Sequence, residues 1–274
     1  MKKKNFFLEN KQFTIFFILA LAVAGIAVFA PWIAPKDPLE AVMMDSLKAP
    51  CAEYPLGTDK LGRDLLSRVI YGTRTSLVMT LILVAVIFVI GTALGIIAGY
   101  FGGWIDEIIM RIADMMISFP GLVLAIAIAG MLGPNLTNAV IAISAVSWTK
   151  YARLARSMVL KVKQNLYIEA AKVNGTSTLK ILWKHVLPNM LTTMVVTAAA
   201  DIGTMMLELA SLSFLGFGAT APTPEWGLML NEGRTYMAKA PWLMIAPGIA
   251  IVIAVVIFNM LGDSIRDVLD PKQE

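Results

Sequence analysis

Asp201 and Glu208 lie seven residues apart in "AAADIGTMMLELAS", a run with no other charge. If the run is a helix, they stand two turns apart on one face, with Thr204 and Met205 between them on that face. In a bilayer each carboxylate would cost about 2.5–3.5 kcal/mol on insertion scales, so acids kept there are candidates for a translocation path. The structural alternative is a protonated or hydrogen-bonded Glu208, or charges close to the membrane surface. A second polar stretch, "IEAAKVNGTSTLKILWKHVLP" (168–188), carries the only histidine, His185, between two apolar runs. Little else could do chemistry. The chain has no G-x-S-x-G, no H-E-x-x-H and no nucleotide-binding loop. Gly57 and Gly62, followed by Arg63 and Asp64, come nearest to such a loop but lack its Lys and Ser or Thr. This chain is not expected to hydrolyse ATP, and any such energy would come from a partner. Cys51, the sole cysteine, excludes an internal disulfide framework and argues against a Cys-based zinc site.

The elements that position these residues follow from composition. The 274 residues are 58% hydrophobic and 15% charged, with a mean hydropathy of +0.73. So few charges cannot clothe a water-facing surface, and the fold class expected is an all-α polytopic membrane protein. A bilayer core needs about 20 apolar residues per helix. Uncharged runs cover Gln12–Pro35, Thr75–Ile105, Met115–Thr149, Met190–Leu207 apart from Asp201, and Ala240–Gly262. The third is too long for one helix, and "LGPNL" (132–136) divides it into Met115–Leu132 and a shorter half that borrows Tyr151 and Ala152 by letting Lys150 snorkel. Six transmembrane helices result. Pro120 and Pro247 fall inside spans as expected kinks, and Gly91, Gly95 and Gly99 form a row of small residues suited to close helix contact.

Charge gives the orientation. Lys2, Lys3, Lys4 and Lys11 precede the first span and place the N-terminus in the cytoplasm. Four crossings later the chain carries Lys150, Arg153, Arg156, Lys161, Lys163, Lys172, Lys180 and Lys184 against a lone Glu169, whereas the external segment 36–74 has six basic and six acidic residues. Both termini are then cytoplasmic. The short connection 100–114, with one Arg and three acids, runs against the trend, although acids count little in that rule. A secretory signal peptide fits the first thirty residues loosely, but removing it would leave five spans and put the basic loop on the wrong side.

Within that basic loop, Tyr167–Asn174 holds good helix formers, Gly175 suits the left-handed position past a helix end, and Thr176, Ser177 or Thr178 can cap a second helix, Leu179–His185, that stops at Pro188. Ala170 and Ala171 leave a bare patch that another protein's groove could approach, with Glu169 and lysines at its rim. An interfacial helix held by anionic lipid is the alternative from the residues alone.

Glu169-Ala170-Ala171, then Gly175, then Leu187-Pro188 resembles the EAA signature of permease subunits of binding-protein-dependent ABC importers. His185, with Val186 next to it, stands where the usual pattern has an apolar residue, a departure seen in the peptide and nickel branch. The blocks "PLGTDKLGRDLLSRVIYGTRTSL" (55–77), "GYFGGWIDEIIMRIADMMISFPGL" (99–122), "SLSFLGFGATAPTPEWGLMLNEGR" (211–234) and "FNMLGDSIRDVLDP" (258–271) are similar to the second permease of dipeptide, oligopeptide and nickel importers. The resemblance implies residues 1–75 as an N-tail, first helix and external segment, and 76–274 as a transmembrane core whose loop at about 150–189 couples to an ATPase. It also implies a related sister permease, two cytoplasmic ATPase subunits that bind ATP and Mg, and an extracytoplasmic binding protein, in the cell membrane of a prokaryote. The binding protein would dock on 36–74 or on 216–241, where Pro222, Pro224, Trp226 and Trp242 cluster.

The run from Asp201 to Gly227 is similar to nickel-type permeases, whereas "SLSFLG" is shared with peptide permeases. A lasting nickel site would want imidazole, carboxylate and water. The sole histidine is in the loop, so no resident metal is expected, and a metal cargo would cross by passing contacts or as a chelate. An ion-coupled secondary transporter using Asp201 or Glu208 is the rival function. A membrane scaffold or enzyme is weaker, for want of a catalytic set. Nothing points to nucleic acid.

Overall fold

The computed structural model describes residues 10–269. Lys2, Lys3 and Lys4, and the closing Asp270 and Pro271 of the last family block, lie outside them. The described residues form helices and loops, with one isolated bridge between Thr58 and Asp64.

Helix α1 (Lys11–Ile33) is apolar all round and turns most of its side chains outward, as a lipid-facing helix does. Its buried face, Ala20 and Ala27, joins an apolar cluster with residues of α2 (Leu65–Phe101) and the last helix, α9 (Trp242–Leu269). Asp64 caps α2, accepting hydrogen bonds from the Ser67 amide at 2.8 Å and its hydroxyl at 2.6 Å. At 37 residues α2 outruns the bilayer core, since about 20 suffice to cross it. Gly102, at φ +68°, ends it.

The glycine row on α2 behaves as expected. A Cβ on Gly91 would stand 2.6 Å from the Trp148 carbonyl oxygen, on Gly95 2.3 Å from that of Ala152, and on Gly99 3.0 Å from that of Arg156. Bare backbone on α2 therefore lies directly on α5 (Leu136–Lys163).

The expected span Met115–Leu132 is instead two helices, α3 (Gly103–Ile117) and α4 (Gly121–Leu132), bent by 94°. Pro120 is not inside a helix. It stands at the start of α4, where its missing N–H costs nothing. The break at Gly133-Pro134 falls where the sequence places it, and the Asn135 side chain caps α5 by accepting from the Thr137 amide at 2.8 Å.

Helix α5 does not stop near Ala152 but continues to Lys163. Its arginines have partners on α3: Arg156 makes a double contact with Asp106, at 2.5 and 2.6 Å, and Arg153 pairs with Asp114. This accounts for two of the three acids in 100–114, Asp106 and Asp114; the third, Glu107, pairs with Arg111 on α3 itself.

Helix α6 (Leu166–Val173) leads to Gly175 at φ +73°. The second loop helix does not end at Pro188. It begins at Thr178 and runs on as α7 (Thr178–Phe214), with a π-helical stretch at Leu182–Val186. There the Leu187 amide bonds the Leu182 carbonyl, five residues back, and Pro188 enters as the first turn of a fresh α-helical stretch. Pro247 does lie inside α9, as expected.

Among the described residues four helices, α1, α2, α7 and α9, are long and apolar enough to cross a membrane, or five where the bent pair α3–α4 is counted as one span. The sixth expected span is α5, which has the length but spends its second half on Lys150, Arg153 and Arg156.

At the other end of the bundle, 34–64 folds onto 215–241, which contains α8 (Trp226–Gly233). Arg63 bonds Asp59 at 2.6 Å and Glu232 at 3.3 Å, while Arg68 reaches the same two acids at 3.5 and 3.1 Å. Both arginines are about 1% exposed. The near-miss for a nucleotide loop is thus a buried ion-pair clamp between two sequence-distant segments. Glu225 caps α8 through the amides of Gly227 and Leu228. Burial pushes its carboxyl pKa up, and those two amides oppose the shift.

Candidate functional site

Two places gather the residues singled out by type and spacing: the loop beyond α5, and a cavity beside the start of α7's apolar half. In the loop, Ile168, Ile181 and Val186 are buried and hold α6 and the start of α7 on the core. Glu169, Ala170 and Gly175 are exposed, Ala171 is half-buried against the core, and Pro188 is exposed beside half-buried Leu187. Of the expected bare alanine patch, Ala170 alone is fully open. Around it the loop exposes large apolar side chains, Val173 at 87% and Leu166 at 80%. Exposed apolar groups gathered at one end, next to a polar rim, are the mark of a contact surface. His185 packs against Tyr167, ring centres 5.9 Å apart, and lies in this loop rather than in any cavity with an acid.

The cavity, of about 450 Å³, lies between the α3–α4 bend, α5 and α7. Asp201, Thr204, Met205 and Glu208 all line it, so the helical-face reading holds as geometry. Asp201 is 7% exposed and fully committed: Lys150 Nζ donates to Oδ1 at 2.7 Å and Oδ2 at 2.9 Å, and the Tyr151 hydroxyl donates to Oδ2 at 2.9 Å. Lys150 therefore does not simply snorkel away from an apolar helix; it supplies the counter-charge for Asp201. Glu208 is half-buried and receives no hydrogen bond or ion pair among the described residues. Nor do three His, Cys, Asp or Glu side chains gather as metal ligands there.

Residues 91–274 match the family described as binding-protein-dependent transport system inner membrane component. The chain belongs to this family. It is 44% identical over 266 residues to the dipeptide transport system permease protein DppC of Alkalihalophilus pseudofirmus, covering 97% of this chain and 88% of that relative. It is 44% identical over 256 residues to the glutathione transport system permease protein GsiD of Pectobacterium atrosepticum, covering 93% and 85%. With the probable D,D-dipeptide transport system permease protein DdpC of Escherichia coli it shares 45% over 245 residues, covering 89% and 82%. Among solved structures, the inward-facing MetNI methionine ABC transporter superposes with a TM-score of 0.58 at 21% identity, covering 73% of this chain and 95% of that one. That likeness speaks for the fold.

This chain is accordingly an importer permease of the membrane, a translocation subunit rather than an enzyme. Lys150 and Tyr151 of the permease are the site residues that sequence reasoning missed. Lys150 alone left a signal, since a lysine kept on an apolar helix asks for a counter-ion; which acid it meets was not readable.

Proposed function

We propose that this permease is one half of a transmembrane heterodimer in an ATP-driven peptide importer, crossing the membrane six times with both termini cytoplasmic. Residues 1–75 form the N-tail, first helix and external segment, and residues 76–274 the transmembrane core. Its partners are a sister permease, two ATPase subunits that hold ATP and Mg, and an extracytoplasmic binding protein, in a prokaryotic cell membrane. The observation that carries this reading is the loop of α6 and early α7, where Glu169, Ala170 and Gly175 stand exposed among outward apolar side chains and on a basic end.

In this reading Glu169, Ala170, Ala171, Gly175, Leu187 and Pro188 couple the core to the ATPase, and Asp201, Thr204, Met205 and Glu208 line the path. The α7 helix starts in the loop and runs through its π-helical stretch at Leu182–Val186 to the cavity, so a movement of the loop is passed along one helix toward Asp201. Peptide is favoured over nickel by the substrates that the names of the relatives give. Membership of a binding-protein-dependent family weighs against the ion-coupled alternative.

The test is uncoupling. Glu169→Lys, and separately Gly175→Val, are expected to leave the complex in the membrane while peptide uptake falls at least about tenfold, the change that about 1.4 kcal/mol of lost coupling makes. Unchanged uptake in both variants would refute the coupling role.

A further inference from the structure

The cavity beside α7 carries one unpaired carboxylate, Glu208, and an ammonium, Lys150, that is paired with Asp201 but keeps an N–H to spare. An ammonium has three N–H donors. Lys150 spends its contacts on the two oxygens of Asp201, at 2.7 and 2.9 Å, leaving one donor over, and its side chain is 61% exposed. Asp201 is neutralised by this pair and by Tyr151. Glu208, seven residues on along the same helix, lines the same space with no protein partner among the described residues. Seven residues of α-helix advance about 10.5 Å. The hydroxyls of Ser147 and Thr204 also line the cavity, with the apolar side chains of Phe119 and Met205.

We propose that this cavity is a bipolar site for a short zwitterionic peptide, in which Glu208 accepts the peptide's ammonium and the spare N–H of Lys150 meets its carboxylate. The inference rests on the peptide-importer reading and adds the chemistry of recognition within the membrane. A volume of about 450 Å³ lies within the usual range for small-ligand sites, about 300–1,000 Å³. Asp201 and Tyr151 are positioning residues, which fix the ammonium of Lys150 at the cavity wall. A carrier's site must also release its cargo, and a single contact at each end is compatible with passage.

The experiment uses the complete transporter in proteoliposomes with its binding protein, and reads uptake of a tritium-labelled dipeptide and ATP hydrolysis together. Glu208→Gln keeps the shape and removes the charge. It is expected to lower peptide imported per ATP hydrolysed by about tenfold, the weight of one charge-assisted hydrogen bond, while stimulated hydrolysis stays within about twofold. Glu208→Asp restores most of the uptake, and Lys150→Arg, which keeps both the pair and a spare donor, retains it. Normal import per ATP in Glu208→Gln would overturn the proposal. So would a joint loss of uptake and hydrolysis that Glu208→Asp does not rescue, because Glu208 would then be structural. A wild-type complex that imports no peptide would instead overturn the importer reading beneath it.

Discussion

At the scale of single residues, the decisive fact is that Asp201 is buried and paired while Glu208, on the same face, is not. Lys150→Met would strand the Asp201 carboxylate, with Tyr151 alone to satisfy it. The expected cost is about 1–3 kcal/mol, since Lys150 is partly exposed and its solvation offsets some of the loss. A lower midpoint of thermal unfolding in detergent would register it, and Asp201→Asn in the Lys150→Met background is expected to recover most of the midpoint. Equal midpoints for wild type and the single variant would remove the pair from the account. The shared face of Asp201, Thr204, Met205 and Glu208 was legible because helical period needs only local spacing. Tyr151 and the pairing of Lys150 were not, because they join α5 to α7 across 51 residues of sequence.

At the scale of elements, the bundle is held by places where side chains are missing. Gly95→Leu would put a side chain where a Cβ already meets the Ala152 carbonyl oxygen at 2.3 Å. Loss of folded protein from the membrane fraction is the expected outcome, because backbone on both sides cannot yield without separating α2 from α5. Gly25→Leu on α1 is the control: nothing stands within 4 Å of its Cβ position, and normal yield is expected. The glycine row and the Gly133-Pro134 break were readable from sequence, since each is a local chemical constraint. Two prolines were misread. Pro120 marks a 94° break between two helices instead of a kink within one, and Pro188 starts an α-helical stretch instead of ending one. Proline has no N–H to donate and leaves the chain on either side to tertiary packing, so its position alone does not tell a start from a stop.

At the scale of the whole molecule, two ends are specialised and one helix joins them to the cavity. The buried pairs of Arg63 and Arg68 with Asp59 and Glu232 tie the segment before α2 to the connection before α9. Removing Glu232 leaves two arginines short of a counter-ion in a closed space, so Glu232→Ala is expected to cost about 3–5 kcal/mol. Glu53→Ala, which breaks the exposed contact with Lys36, is expected to leave the midpoint nearly unchanged. Similar unfolding midpoints for the two variants would deny the clamp its structural role. Orientation and subunit count belong to charge bias and to family, whereas α5, the most polar of the long helices, owes its place to partners on α3 and α7 that hydropathy does not register.

In the proposed function this chain moves peptide only as part of an ATP-driven assembly. The direct measurement is accumulation of a labelled dipeptide in proteoliposomes holding the complete transporter and its binding protein, at constant membrane potential, with and without ATP. The account predicts accumulation that requires both ATP and the binding protein. Equal accumulation without ATP, following an imposed ion gradient, would contradict it and return Asp201 and Glu208 to the role of an ion relay.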